Sequence, residues 1–168
     1  MSAEFAANKA TGDRSSQGSI RVMVVDDSAV IRGLITRMMD GDPSISVVAS
    51  VGNGQLAVQA LAKTDIDVII MDIEMPVMDG LTALPKLLEI DPEVHILMAS
   101  TLTERNADIS IKAMALGASD YVPKPTSTRE ISGGDVFRRE LLQKIHILGG
   151  KPKRGLRRVP VETPRPVA

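Results

Sequence analysis

Three carboxylates follow two short apolar runs in this sequence of 168 residues. Asp26 and Asp27 come directly after Ile20–Val25, and Asp72 comes directly after Val68–Met71. Strands buried on both faces of a parallel sheet are nearly continuous apolar runs, and open parallel sheets bind ligands at the carboxyl ends of their strands. Asp72 is therefore a candidate site residue, although an aspartate at a strand end can also simply cap a turn.

The elements that must position these acids alternate along residues 19–149. Strand-like runs separate segments whose apolar residues recur at helical spacing, so five strands and five helices predict a doubly wound α/β domain with a parallel sheet. In the flavodoxin-like strand order 2-1-3-4-5, the first and third strands flank the topological switch point, and the three acids meet there. The serines of the second strand predict an edge position. The predicted strands are Ile20–Val25, Ile45–Val51, Asp67–Met71, Val94–Ala99 and Ser119–Val122.

Helix ends and breaks are also indicated by single residues. Ser28 or Asp27 could cap the first helix, because both side chains can accept a hydrogen bond from a backbone N–H in its first turn. Pro85 lies in the third helix, where we expect it close enough to the first turn to be tolerated. Gly117 is expected to close the fourth helix.

Carboxylates at such short distances repel each other unless they are neutralised. The free energy of a fully ionised cluster is several kcal/mol higher than that of a cluster that binds a proton or a cation. Mg²⁺ prefers one or two carboxylates with carbonyl, water and phosphate oxygens, so Asp26, Asp27 and Asp72 predict a Mg²⁺ site. The alternative is that the acids lie apart and stabilise helix N-termini.

Two further polar residues follow the fourth and fifth strands. Ser100 and Lys124 are expected on the same rim of the sheet as the acids. An aspartate nucleophile, a cation, a lysine and a hydroxyl form a set suited to phosphoryl transfer through an acyl phosphate. Each of the two residues alone is commonplace on a loop or a surface, and the prediction depends on their combination.

The arrangement of these motifs along residues 20–148 resembles the receiver domain of two-component response regulators. The resemblance implies that Asp72 is the phosphoacceptor and that Asp27 and Asp72 bind Mg²⁺ directly. Asp26 would act partly through water and Glu74 through its backbone carbonyl. The segments that carry the resemblance are Val24–Ser28, Met71–Gly80, Ala99–Thr101 and Tyr121–Pro125.

The same resemblance implies a switch. Ser100, Thr101 and Lys124 would contact the phosphoryl group, and Tyr121 would rotate inward as the surface of helix 4, strand 5 and helix 5 changes. The Lys124–Pro125 peptide bond is typically cis in this family. The implied partners are a sensor or chemotaxis histidine kinase and an output domain.

Among receivers, the likeness is greatest to the regulatory domain of chemotaxis protein-glutamate methylesterases. Its cues are Asp72–Pro76, Met98–Thr103, Ala115–Tyr121 and the Ser- and Gly-containing loop after Pro125. These residues contain no esterase motif, so we interpret the chain as a receiver with the start of an interdomain linker. A stand-alone receiver, or one with another output, is the alternative, and no catalytic domain is predicted here.

Composition sets further bounds. The chain has no cysteine, which fits a reducing cytoplasm, and has no apolar run long enough to insert into a membrane. Residues 19–150 are net acidic, which argues against nucleic-acid binding. Residues 1–18 are predicted to be a disordered tail and residues 150–168 a basic, Pro-rich linker. With an aromatic content of 2%, the core must be aliphatic and rich in methionine.

Two other functions need to be considered. Gly52-Asn53-Gly54 begins a G-x-G-x-x-A motif that ends at Ala57, as in dinucleotide-binding oxidoreductases, with Asp72 downstream. The motif follows the predicted edge strand, however, and leaves Asp26 and Asp27 unused. An aspartate-nucleophile phosphatase is the other alternative, and turnover of many phosphate esters would distinguish it from a protein that is phosphorylated once.

Overall fold

The predicted strands form one parallel sheet with the order β2-β1-β3-β4-β5 in the computed structural model, which describes residues 18–101, 103–124 and 135–150. The doubly wound fold and the edge position of β2 are therefore confirmed. Apart from Gly18 and Gly150, the predicted tails lie outside the described residues, as does Pro125 with its peptide bond. The strands are β1 Ile20–Val25, β2 Ile45–Val51, β3 Val68–Met71, β4 His95–Thr101 and β5 Asp120–Lys124.

Among the described helices, four begin with a side-chain cap. Ser28, and not Asp27, caps the first helix by accepting a hydrogen bond from the Ile31 N–H at 3.2 Å. Asn53, Asp79 and Thr103 cap the next three helices in the same way, which satisfies one otherwise unpaired N–H in each. The helices are α1 Ala29–Asp40, α2 Gly54–Lys63, α3 Gly80–Ile90, α4 Glu104–Ala115 and α5 Asp135–Gly149.

Side chains of the central strands alternate between two apolar layers. Ile69 and Met71 pack with α2, α3 and α4, whereas Val68 and Ile70 pack with α1 and α5. All four residues of β3 are buried, as its unbroken apolar run predicts. The core is aliphatic and methionine-rich, with Met23, Met39, Met71 and Met98 fully buried.

The structure extends two of the predicted strands. β4 continues through Ser100 and Thr101, and β5 continues to Lys124, because the two strands remain paired up to the Thr101–Lys124 register. The predicted ends were too early because hydroxyl and charged residues resemble loop residues in sequence. Pro85 is tolerated inside α3, as expected, in the turn that follows the first, and the helix lacks one backbone donor there.

Candidate functional site

The three acids converge where β1 and β3 lie side by side. The two strands are in register up to Val25 and Met71, and the Asp72 N–H donates to the Val25 carbonyl at 2.9 Å. Carboxylate oxygens of Asp26, Asp27 and Asp72 lie within 4.8 Å of one another. The topology thus brings together the acidic residues singled out in the sequence.

Lys124 enters this cluster from the end of β5. Its Nζ lies 2.6 Å from Asp26 Oδ2 and 3.4 Å from Asp72 Oδ2. The three side chains are largely buried, with Lys124 only 9% exposed. One ammonium therefore pairs with two of the three clustered carboxylates, and when all are ionised the cluster keeps an excess of negative charge.

The protonation of Asp72 reflects this environment. Burial raises the pKa of Asp72 from 3.8 to about 6, the Lys124 ammonium opposes the rise, and the Asp26 carboxylate adds to it. The Ile73 N–H, which donates to Asp72 Oδ1 at 2.8 Å, also favours the ionised form. The protein alone therefore leaves the ionised acid incompletely stabilised.

This donor set fits a hard divalent cation. All three ligand groups are carboxylates, one aspartate (Asp27) is exposed, and the excess charge is negative. Mg²⁺ prefers such oxygen ligands and keeps some of its waters, which the exposed side of the cluster permits.

An open cleft of about 510 Å³ lies over the cluster. Ser100 is buried at the end of β4, whereas its neighbour Thr101 is exposed and lines the cleft. Tyr121 lies on β5 with its side chain 41% exposed. The residues lining the cleft are Asp27, Asp72, Glu74, Met75, Pro76, Thr101, Asn106 and Lys124.

Three polar residues near the site were not singled out in the sequence. Arg105 Nη1 lies 3.5 Å from Glu74 Oε2, and both side chains are exposed. Asn106 donates from Nδ2 to the Thr101 carbonyl at 3.0 Å. Arg32 donates from Nη1 to the Asp26 carbonyl at 2.7 Å. One signal in the sequence could have found them. All three lie in the first turn of a helix, α1 or α4, that follows a strand ending at the site.

The loop between β3 and α3 contains a strained turn. Val77 has a φ of 69°, and the Met78 N–H donates to the Pro76 carbonyl at 2.7 Å, which closes a γ-turn. The loop is also closed at its base, where the Gly80 N–H donates to the Ile73 carbonyl at 2.7 Å. Along the chain, Glu74 lies between the acceptors of these two bonds, Ile73 and Pro76.

The sequence matches the model of one known protein family. Residues 22–133 match the family model described as the response regulator receiver domain. The chain belongs to this family. As a receiver, it has the Asp26, Asp27, Asp72 and Lys124 constellation at the expected strand ends, and the oxidoreductase and phosphatase alternatives are set aside.

Two longer bacterial proteins are similar to the receiver in sequence. It is 64% identical over 135 residues to a protein-glutamate methylesterase/protein-glutamine glutaminase of Azospirillum brasilense, covering 80% of this chain and 34% of that one. It is 63% identical over 141 residues to a protein of the same name from Rhodospirillum rubrum, covering 84% of this chain and 36% of that one. The receiver thus spans about a third of the length of these relatives.

Solved structures of other proteins are similar to this receiver in fold. The response regulator domain of Thermotoga maritima CheB has a TM-score of 0.72 and 36% identity, covering 80% of this chain and 98% of that one. A CheX–CheY complex with BeF₃ and Mg from Borrelia burgdorferi has a TM-score of 0.62 at 24% identity and shows the fold alone. Among the described helices, none has both the length and the apolar character needed to cross a membrane.

Proposed function

We propose that this receiver accepts a phosphoryl group on Asp72 from a histidine kinase, in the presence of Mg²⁺. The observation that carries the proposal is the meeting of Asp26, Asp27, Asp72 and Lys124 at one point below an open cleft. Like charges are brought together there at a cost to folding, which is typical of a site kept for function.

In the proposed step, a carboxylate oxygen of Asp72 attacks phosphorus and forms a P–O bond. The P–N bond to the donor histidine breaks, and the leaving imidazole nitrogen keeps the electron pair and later takes a proton from water. Lys124 can shift from Asp72 Oδ2, now 3.4 Å away, to a phosphoryl oxygen, because its ammonium lies between the acids. Asp26, Asp27, Asp72 and the Glu74 carbonyl would hold Mg²⁺, which would supply charge neutralisation for the phosphoryl oxygens.

In the same proposal, phosphorylation of Asp72 changes the protein surface away from the site. The added oxygens can accept a hydrogen bond from the Ser100 hydroxyl, with Thr101 beside it at the cleft. Ser100 is 6% exposed, so its movement toward the phosphoryl group changes the packing next to β5. In this proposal Tyr121 then turns inward and alters the surface formed by α4, β5 and α5.

We further propose that the output is a methylesterase domain of the same protein, acting in the cytoplasm under a chemotaxis kinase. The names of the relatives support this, as does their additional length beyond the matched region. The hydrolytic activity then belongs to that other part, and the receiver contributes only control.

The phosphorylation proposal is tested by incubating the protein with acetyl phosphate and measuring its intact mass. Wild type should gain the mass of one phosphoryl group with Mg²⁺ and little or none in EDTA. Asp72→Asn should show no gain, whereas Asp40→Asn, which changes an exposed aspartate at the end of α1, should behave as wild type. No gain in wild type, or an equal gain in Asp72→Asn, overturns the proposal.

A further inference from the structure

The G-x-G segment between β2 and α2 has no role in the function proposed so far. Its second glycine, Gly54, is the first residue of α2, and its N–H donates to the carbonyl of Met78 at 2.8 Å. A Cβ at Gly54 would lie 2.7 Å from that carbonyl oxygen and 2.9 Å from Ala83 Cβ. Only glycine therefore allows the N-terminus of α2 to approach Met78 this closely.

Met78 belongs to the β3–α3 loop that joins Asp72 to α3. The loop is held at its base by the bond from the Gly80 N–H to the Ile73 carbonyl. Gly80 also lacks the Cβ that would collide with the backbone carbonyl of Asp72. The Gly54–Met78 bond is the corresponding support at the far side of the loop, and it comes from a different part of the fold.

The part of the loop between these two supports forms one wall of the cleft. Glu74, Met75 and Pro76 line the cleft, and the strained Val77 follows them. A residue such as Val77 keeps a positive φ only where the surroundings hold it. The bond from Gly54 to the next residue, Met78, is a contact that can hold it.

We propose that Gly54 is a positioning residue for the phosphoacceptor loop. Its small size and its N–H hold Met78, and through Met78 they hold the loop in the shape that presents Glu74 and Asp72 to the cation and the phosphoryl group. The inference rests on the proposed function and adds to it the reason for the G-x-G segment. Here the glycine lets the backbone of the helix N-terminus approach a carbonyl oxygen. In a dinucleotide fingerprint, a glycine lets the backbone approach a phosphate in the same way.

The first test measures Mg²⁺ affinity without a phosphodonor, by following the amide NMR shifts of Asp27 and Ile73. Gly54→Ala should weaken Mg²⁺ binding by about 10-fold or more, the size of effect known for residues that orient metal ligands. Gly33→Ala is the matched control, because a Cβ at that exposed helical glycine meets nothing within 4 Å, and it should bind Mg²⁺ as wild type does.

A double variant separates positioning from helix packing. Ala83→Gly added to Gly54→Ala removes the contact between the two β-carbons but keeps the contact with the Met78 carbonyl. Mg²⁺ binding should remain weak in the double variant. Restored binding, or a folded Gly54→Ala with wild-type affinity, overturns the inference.

The second test uses wild-type protein and does not depend on the folding of a variant. If the Gly54–Met78 bond supports the metal site, then by reciprocity Mg²⁺ must strengthen that bond. Amide hydrogen exchange at Gly54 should slow several-fold on adding Mg²⁺. The Ala57 amide, which donates to Asn53 within the same helix start, should change less, and equal changes at the two amides overturn the inference.

These results are distinct from a failure of the proposed function. A wild-type protein that gains no phosphoryl mass and binds no Mg²⁺ overturns both proposals. A wild-type protein that does both, while Gly54→Ala matches it in each assay, overturns the positioning role alone.

Discussion

Replacing Asp72 with asparagine should stabilise the metal-free protein. The side chain is only 13% exposed, and burial raises its pKa from 3.8 to about 6. An acid whose pKa is raised in the folded state costs stability once it is ionised in both states. A shift of about two pKa units corresponds to about 3 kcal/mol at neutral pH.

The net gain should be smaller than this figure. The pKa of about 6 already includes the attraction of Lys124 and the bond from the Ile73 N–H. Asparagine differs from the neutral acid, however, because its Nδ2 can only donate, and in either orientation it faces a donor, which is the Lys124 ammonium or the Ile73 N–H. A donor left without an acceptor costs about 1–3 kcal/mol. We therefore expect Asp72→Asn to raise the free energy of unfolding by about 1–2 kcal/mol, measured by urea unfolding and circular dichroism in EDTA at pH 7.

The pH dependence fixes the sign of the effect. Between the unfolded pKa of 3.8 and the folded value of about 6, the folded state binds more protons, so wild type loses stability as the pH rises through this window. The advantage of Asp72→Asn should therefore shrink as the pH falls toward about 4, and saturating Mg²⁺ should stabilise wild type more than the variant. An Asp72→Asn protein no more stable than wild type at pH 7 in EDTA, or an advantage unchanged at pH 4, would refute the reasoning.

Three further predictions concern Asp42, Val77 and Ser100. The pKa of Asp42 is lowered to about 2, first by the Ser44 hydroxyl at 2.6 Å and then by His146 at 2.7 Å. Asp42→Asn should thus cost about 1 kcal/mol at neutral pH after allowance for solvent screening, and urea unfolding should show this cost disappearing as the pH falls from 3.8 through about 2. Val77→Gly should raise stability by up to about 1 kcal/mol in the same assay, because relief of the positive φ exceeds the added entropy of the unfolded chain, and a lower stability would contradict the strain assigned to Val77. Ser100→Ala should keep the phosphoryl mass gain but lose most of the accompanying amide shift of Tyr121, and a wild-type shift would show that the Ser100 hydroxyl does not transmit the switch.

The central sheet could be predicted because burial leaves a simple pattern. The four residues of β3 are all apolar, so they cannot be mistaken for a half-exposed strand, in which polar and apolar residues alternate. The serines of β2 indicate an edge strand. Once the strand order was assigned, the meeting of Asp26 and Asp72 followed from topology. The site acids were therefore accessible from the sequence.

The supporting contacts could not be predicted in the same way. Arg32 and Arg105 lie on helices among other charged residues, and only the orientation of each helix determines which of them reaches the site. The G-x-G segment was ambiguous for a related reason. A glycine that allows close backbone approach has the same sequence signature whether it faces a phosphate or, as at Gly54, a carbonyl.

The most direct test of the central claim is to locate the phosphoryl group. Reduction of the acetyl phosphate-treated protein with borohydride converts an aspartyl phosphate to homoserine, which peptide mass spectrometry can place. We predict homoserine at position 72, dependent on Mg²⁺, with Asp26 and Asp27 unmodified. Homoserine at position 26 or 27, or at none of the three, would contradict the assignment of Asp72 as the phosphoacceptor.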